Sequence, residues 1–229
     1  GDVVAFTVPA ELRRGLEDLA RSCRATLFMT LHAGLAALLT DLGCGHDIVV
    51  GSPTAGRTAE ALDELVGFFV NMVALRTDTS GEPTFRELIG RVRDGWLPAS
   101  ANQDVPFELV VERLNPARGL SRHPVFQVTL GLLDAPDLAL DLTPEDSGVP
   151  QRGEWTLART GAARFDLTFD LISRREADGT PGALDGFAEF ATDLFDRESV
   201  LRLVEGFVTK LRQAVADPDG LRALGGSAR

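Results

Sequence analysis

The sequence predicts an α/β fold, a two-layer sandwich in which helices pack on a mixed β-sheet. Three observations carry that expectation. Helical and strand-like periods alternate through the first half of the chain. Residues 165–172 alternate apolar with polar, placing Phe165, Leu167, Phe169 and Leu171 on one side of a half-buried strand. Residues 27–42 have a helical stretch that is apolar nearly all round, including Leu27, Phe28, Met29, Leu31, Leu35, Leu38 and Leu39. A helix with so little polar face belongs in an interior, against a sheet.

The elements follow in order. Residues 3–8 read as a strand. Pro9, which has no N–H to leave unpaired, suits the first turn of a helix whose Leu12, Leu16 and Leu19 share a face. Thr26 is a candidate N-cap for the apolar helix and Gly43 its stop. Residues 47–51 read as a buried strand that passes into loop composition at residues 52–57. A short helix is expected over residues 59–66, and a strand-like run over 67–77 with the polar Asn71 inside it. Thr84 and Glu87 form a capping box for an amphipathic helix reaching Trp96, with Phe85, Leu88, Ile89 and Val92 on its apolar side. Pro106 opens another short helix carrying Phe107, Leu109, Val110 and Leu114. Residues 125–133 read as a strand. Residues 134–164, rich in Asp, Gly, Pro and Thr, are the candidate for a long projecting loop. Residues 182–195 pair as a second strand with residues 165–172, and Asp178-Gly179 supplies the turn chemistry between them. The last helix spans about residues 196–216, its stripe formed by Val200, Leu203, Val204, Phe207, Val208 and Leu211. Residues 1–220 therefore form one domain, and residues 221–229 a linker or tail.

Composition narrows the function. The 229 residues carry 23 basic and 34 acidic side chains, a net charge of −11, which disfavours nucleic-acid backbones and anionic lipid surfaces. The longest apolar run, residues 25–40, is interrupted by His32 and is too short to span a membrane. The start, Gly1-Asp2-Val3-Val4, has neither the basic region nor the apolar core of an export signal, and reads as that of an excised or trimmed chain. A cytoplasmic, reducing compartment is the default. Cys23 and Cys44 are too few for a disulfide scaffold, although a single bridge stays open. His32, His46 and His123 are scattered, neither cysteine belongs to a C-x-x-C pair, and no metal set or directly bound cofactor is expected. No P-loop, dinucleotide fingerprint, nucleophile elbow or H-E-x-x-H is present. Read by residue type alone, the three histidines are incidental and no catalytic residue emerges.

Four ordered segments carry more. They are Ile48-Val49-Val50-Gly51-Ser52-Pro53-Thr54-Ala55-Gly56-Arg57, Val66-Gly67-Phe68-Phe69-Val70-Asn71, Asn102-Gln103-Asp104-Val105-Pro106-Phe107-Glu108 and Ser121-Arg122-His123-Pro124-Val125-Phe126-Gln127-Val128. Phe165-Asp166-Leu167 and Asp193-Leu194-Phe195-Asp196 accompany them. In this order and spacing they closely resemble the later core motifs of condensation domains from nonribosomal peptide synthetases, and the similarity runs over nearly the whole chain. The resemblance implies a half of that fold: one of two lobes, each like chloramphenicol acetyltransferase, with a tunnel between them. The tunnel receives the phosphopantetheine arms of two carrier proteins, and an acceptor amine attacks a donor thioester. The family's catalytic H-H-x-x-x-D-G run belongs to its first lobe, and this chain has no adjacent histidines. The resemblance therefore implies the C-terminal lobe, inactive alone. Its partners would be a first lobe, peptidyl or aminoacyl carrier proteins and adjoining synthetase domains.

The same resemblance assigns candidate residues, each with a plainer reading beside it. Asn71, Ser52 and Gln103 would line the tunnel. Asn71 is equally satisfied by backbone or neighbours, and a Ser before Pro suits a turn. Arg57 and Arg122 would each lock a loop by pairing with a carboxylate. Asp104 would cap the helix that Pro106 opens, leaving Phe107 in the core. The family's leading His is replaced by Asn102, which cannot act as a base near neutral pH. Within residues 134–164, Trp155 and Leu157 would be apolar contacts of an element crossing to the first lobe. Two further readings accompany the condensing one: a non-catalytic module that recruits a carrier protein or tailoring enzyme, and, ranked last, an epimerase-type relative.

Overall fold

The computed structural model describes residues 1–57, 59–62, 64–116, 119, 122–134, 140–141, 152–153, 161–175 and 179–220. Six strands form one mixed sheet: β1 (Asp2–Val8), β2 (Asp47–Thr54), β3 (Asn71–Asp78), β4 (Val128–Asp134), β7 (Leu167–Arg175) and β8 (Pro181–Phe190). Their order across the sheet is β1-β8-β7-β4-β2-β3. The β2–β4 and β4–β7 neighbours are parallel and the rest antiparallel. Two short strands, β5 (Leu140–Asp141) and β6 (Arg152–Gly153), pair separately. The helices are α1 (Ala10–Ser22), α2 (Leu27–Asp41), α3 (Phe85–Ala101), α4 (Phe107–Leu114) and α5 (Arg197–Ala216). The expected sandwich of helices on a mixed sheet is the architecture observed.

The apolar helix sits where its composition requires. Twelve of the fifteen residues of α2 are buried. Leu31, Leu35, Leu38 and Leu39 join Val50, Leu130, Phe169 and Leu184 of the sheet and Phe207 and Leu211 of α5 in one cluster. Met29, Ala33 and Ala37 face a second cluster with Leu88, Ile89 and Val92 of α3. Two of its polar side chains are bonded across to β3 and its end. The Thr40 hydroxyl meets that of Thr79 at 2.7 Å, and His32 Nε2 meets Thr77 Oγ1 at 3.2 Å.

Start and stop signals largely hold. Thr26 accepts from the Met29 N–H, and Thr84 and Glu87 form the reciprocal capping box. Asp196 accepts from the Ser199 N–H to begin α5. Several boundaries move. Pro9 is the N-cap of α1 rather than a residue of its first turn. Strand β2 continues through Ser52 and Pro53 to Thr54, because β3 pairs with it residue by residue to Asn71. The expected helix over 59–66 is only a 3-10 turn at Glu60–Leu62, and β3 begins at Asn71 rather than 67. Helix α3 runs through Pro98 to Ala101, past the expected end at Trp96. Strand β8 stops at Phe190, where a turn closed by Leu194 N–H on Ala191 O leads into α5. The expected loop over 134–164, with Trp155 and Leu157, lies mostly outside the described residues, as do Asp178 and residues 221–229.

After α5 the chain is held against α3. Arg86 donates two hydrogen bonds to the Asp219 carboxylate, at 2.7 and 3.1 Å, and its own backbone N–H reaches Pro218 O at 3.0 Å. The same guanidinium touches Ser22 Oγ at 2.9 Å, so one arginine gathers the ends of α1 and α5.

Burial of His32 has a consequence for acid stability. Desolvation pushes its imidazole down from 6.5 to about 4. As pH falls, the unfolded chain takes up this proton before the folded one. The contribution to stability is therefore full above about 6.5 and withdrawn between there and about 4. The loss amounts to about 3 kcal/mol by the lower end of that window. Urea unfolding at several pH values should show a flatter acid slope for His32→Gln than for the natural sequence. Equal slopes would refute the assignment.

Candidate functional site

The site begins with a missing side chain. Gly51 in β2 faces away from α2, opposite in parity to the buried Val50 and Ser52. A Cβ there would sit 2.2 Å from the ring of Phe126, so only glycine lets that ring lie on the strand. Phe126 is 1% exposed and anchors a cluster of rings. His123 stacks on it with ring centres 4.5 Å apart and planes 28° apart. Phe107, from the first turn of α4, lies 5.6 Å from His123 and 5.3 Å from Phe126. Phe165, just before β7, lies 5.0 Å from His123 in an edge-on contact. Stacked and edge-on rings at these spacings attract beyond their buried area.

A single amide then fixes the turn that carries Phe107. Asn71 opens β3 rather than lying inside a strand. Its Nδ2 donates to Gln103 O and Val105 O, both at 2.7 Å. Its Oδ1 accepts from the Phe107 N–H at 3.1 Å. The last bond satisfies one of the amides that a helix start leaves unpaired. Asp104 does not cap α4: the N-cap position is Pro106, with no side-chain hydrogen bond, and a residue 36 positions away supplies the acceptor. Asn71 thus spends both amide N–H groups on backbone. That use fits the plainer reading of this residue better than contact with a bound arm.

The loop between β2 and β3 is folded back at its stem. Gly56 has φ +64°, and a Cβ on it would come within 1.8 Å of Phe69 O. Arg57 lays its guanidinium 4.5 Å over the Phe69 ring and donates to Leu65 O at 2.8 Å. Among the described residues, then, Arg57 locks its loop through a carbonyl and a ring, not the expected carboxylate. Arg122 is exposed, and no carboxylate among the described residues pairs with it. Ser121 lies outside the described residues.

These segments enclose a cleft of about 390 Å³. Gly56, Phe68, Phe69, Phe107, His123 and Phe165 line it together with Asn71 and Gln103. Asp104, Glu108 and Arg164 are the charged residues of the lining. All four sequence motifs contribute. Ser52 does not: it is 2% exposed, part of β2 rather than a turn, and on the strand face opposite Gly51. Asn102 is also outside the lining, its amide closing the end of α3 on Pro98 O at 2.9 Å. Gln103 lines the cleft. His123 is not incidental: it lies at the centre of the ring cluster, and burial pushes its imidazole below the ordinary histidine range. Its signal in the sequence was its place inside a motif, not its spacing from other titratable groups. A second hollow, of about 350 Å³, lies at Asp47, Arg76 and Asp78, where Arg76 and Asp47 form an exposed ion pair.

Chemically, the cleft offers aromatic surface with charge at its edges. Among the described residues no three histidine, cysteine, aspartate or glutamate side chains gather as a metal site. Cys23 and Cys44 are free thiols. No single helix among the described residues is long and apolar enough to cross a membrane.

The chain as a whole has counterparts among known proteins. The family model for the condensation domain matches residues 1–223. A dimodular nonribosomal peptide synthase of Bacillus subtilis is 48% identical over 219 residues, covering 96% of this chain but 9% of that protein. Among solved structures, the X-domain from teicoplanin biosynthesis superposes with a TM-score of 0.85 at 32% identity, over 96% of this chain and 48% of that one. The first condensation domain of the calcium-dependent antibiotic synthetase, in complex with a substrate analogue, shares the fold with a TM-score of 0.75 at 22% identity, over 96% of this chain and 45% of its own. The chain thus spans about half the length of these solved structures.

The amide arrangement makes a contrast that stability measurements can read. Asn71→Ala leaves two carbonyls and the Phe107 N–H without their partner and should cost about 2–4 kcal/mol in chemical denaturation. Asp104→Ala should change stability by no more than about 0.5 kcal/mol, because no cap is lost. A large loss for Asp104→Ala would restore it as the cap.

Proposed function

This chain belongs to the condensation-domain family, and from that premise we propose that it is the C-terminal lobe of a domain that joins two carrier-tethered substrates by an amide bond. One observation carries the reading: all four motif segments, far apart in sequence, meet in a single cleft. In the reaction, an acceptor amine attacks the carbonyl of a donor thioester. The N–C bond forms, the C–S bond breaks, and the donor's pantetheine sulfur leaves and ends protonated. The lobe's part is positional. Its rings and the Asn71 knot hold the cleft wall in one shape, so that a tethered group meets a preformed surface. Neither His32, sealed in the core, nor His123, packed among rings, is assigned as the base. A first lobe would bring the histidine pair that the chain lacks.

The substrates on this reading are thioesters on the phosphopantetheine arms of carrier proteins, and the partners are those carriers and the adjoining synthetase domains, in the cytoplasm. Residues 1–220 would be the lobe proper, with 134–164 crossing to the first lobe. A recruiting module without chemistry is the weaker reading, since the synthase match is both higher in identity and nearly complete over this chain. Exposed apolar groups beside the cleft, Phe68 at 85% and Val66 at 105% exposure, suit a lobe that is covered when its counterpart is present.

The test is an amide-forming assay between a donor-loaded and an acceptor-loaded carrier protein. The chain alone should give only the uncatalysed rate, and a separately expressed first lobe should restore turnover. Turnover by the chain alone at the rate of an intact domain overturns the proposal, as does a failure of the added lobe to bind it.

A further inference from the structure

We propose that the outer edge of β1 pairs antiparallel with β1 of a second copy of this chain, joining two six-stranded sheets into one. Strand β1 ends the sheet, with β8 on its one paired side. The ladder shows which backbone groups are spare. The Ala191 N–H bonds to Asp166 O at 3.1 Å, so Glu189, Phe187 and Asp185 turn their backbone groups toward β7. The alternate residues of β8 then bond to Val4, Phe6 and Val8, and Val3, Ala5 and Thr7 turn theirs outward. Val3 agrees with this parity: its N–H donates to Asp2 Oδ1 at 2.7 Å, and its carbonyl accepts from Arg197 at 3.1 Å. Both of its groups are thereby satisfied. Ala5 and Thr7 are exposed, and their outward groups are left at the open edge.

The two edges of the sheet differ. At the other end, β3 carries Arg76 and Asp78, and Arg91 of α3 donates to Asp78 O at 2.9 Å. From Val3 to Val8, β1 has no charge, no proline and a continuous register. Charges, prolines and bulges are what natural edge strands use against pairing.

A second copy is the occupant because this edge is complementary to itself. With Phe6 opposite Phe6 across a two-fold axis, Ala5 meets Thr7 and Thr7 meets Ala5. Each of these pairs exchanges two N–H···O bonds, so every spare group on both strands is used. Val3, already satisfied, falls opposite Pro9, which has no N–H to place. A shift of two residues either way loses the match, setting Thr7 against the occupied Val3, or Ala5 against Pro9. Side chains support the same register. Arg197 stands at Val3, and Phe207 meets Phe6 with ring centres 6.3 Å apart. Leu201 of α5 lies between them, one turn from Arg197, and is 42% exposed beside the open edge. The second copy covers it. At each end of the joint, the Arg197 guanidinium of one copy and the exposed Glu11 of the other, two residues past Pro9, come to the same side with opposite charges.

The test reads the mass of the 229-residue chain by sedimentation and light scattering over a range of concentrations. The chain should pass from monomer to dimer as concentration rises. Amide exchange at Ala5 and Thr7 should slow with it, and exchange at Val3 should not change. Ala5→Pro removes an outward N–H and leaves the bonds to β8. It takes away two of the four bonds of the pair and should raise the dissociation constant about tenfold or more. Ala5→Lys sets like charges across the joint and should weaken the dimer in the same way, while keeping the circular dichroism spectrum and urea midpoint of the unsubstituted chain. A monomer at every concentration overturns the proposal. So does a dimer that forms without slowing exchange at Ala5 and Thr7, or one that Ala5→Lys leaves intact while Phe68→Ser dissociates it.

Discussion

The structure depends on one constraint: α2 has almost no face that tolerates water. Its burial obliges the sheet to cover one side and α3 and α5 the others. The two apolar clusters are joined through this helix, with Leu31, Leu35, Leu38 and Leu39 serving the first and Met29, Ala33 and Ala37 the second. The polar groups it carries inward, His32 and Thr40, are met by Thr77 and Thr79 at the end of β3. That pairing ties α2 to one end of β3, and Asn71 stands at the other.

The cleft itself is built on the opposite principle, of small parts with little redundancy. Gly51 makes room for Phe126, Phe126 supports Phe107 and His123, and the Asn71 amide fixes the turn beneath them. The first and last of these links join segments far apart in sequence, and none duplicates another. Loops that carry function are commonly positioned this way, by a rigid scaffold with specific ties rather than by their own burial.

Much of the fold was legible in the sequence because it rests on periodicity. The stripe of α5, the alternation of β7 and the capping box at Thr84 and Glu87 are local signals, and each was answered by the structure. The boundaries that shifted were set by partners. Ser52 reads as a turn residue until β3 is laid beside it, and α3 continues through Pro98 past its expected end at Trp96. At the site, the motifs identified the right segments, but individual roles were less accessible. The acceptor at the start of α4 comes from Asn71, and no local pattern could have preferred it to Asp104. His123 carries its meaning through the rings around it, which only the folded chain brings together.

The Arg86 clasp bears on how this lobe would respond to force. A pull applied between residues 2 and 219 does not begin at loose ends. At one end it meets β1, whose seven residues pair with β8. At the other it meets the bidentate grip of Arg86 on Asp219 and is passed into α3 and the end of α1 before α5 is strained. The two ends of the segment are thus mechanically coupled to the body of the fold.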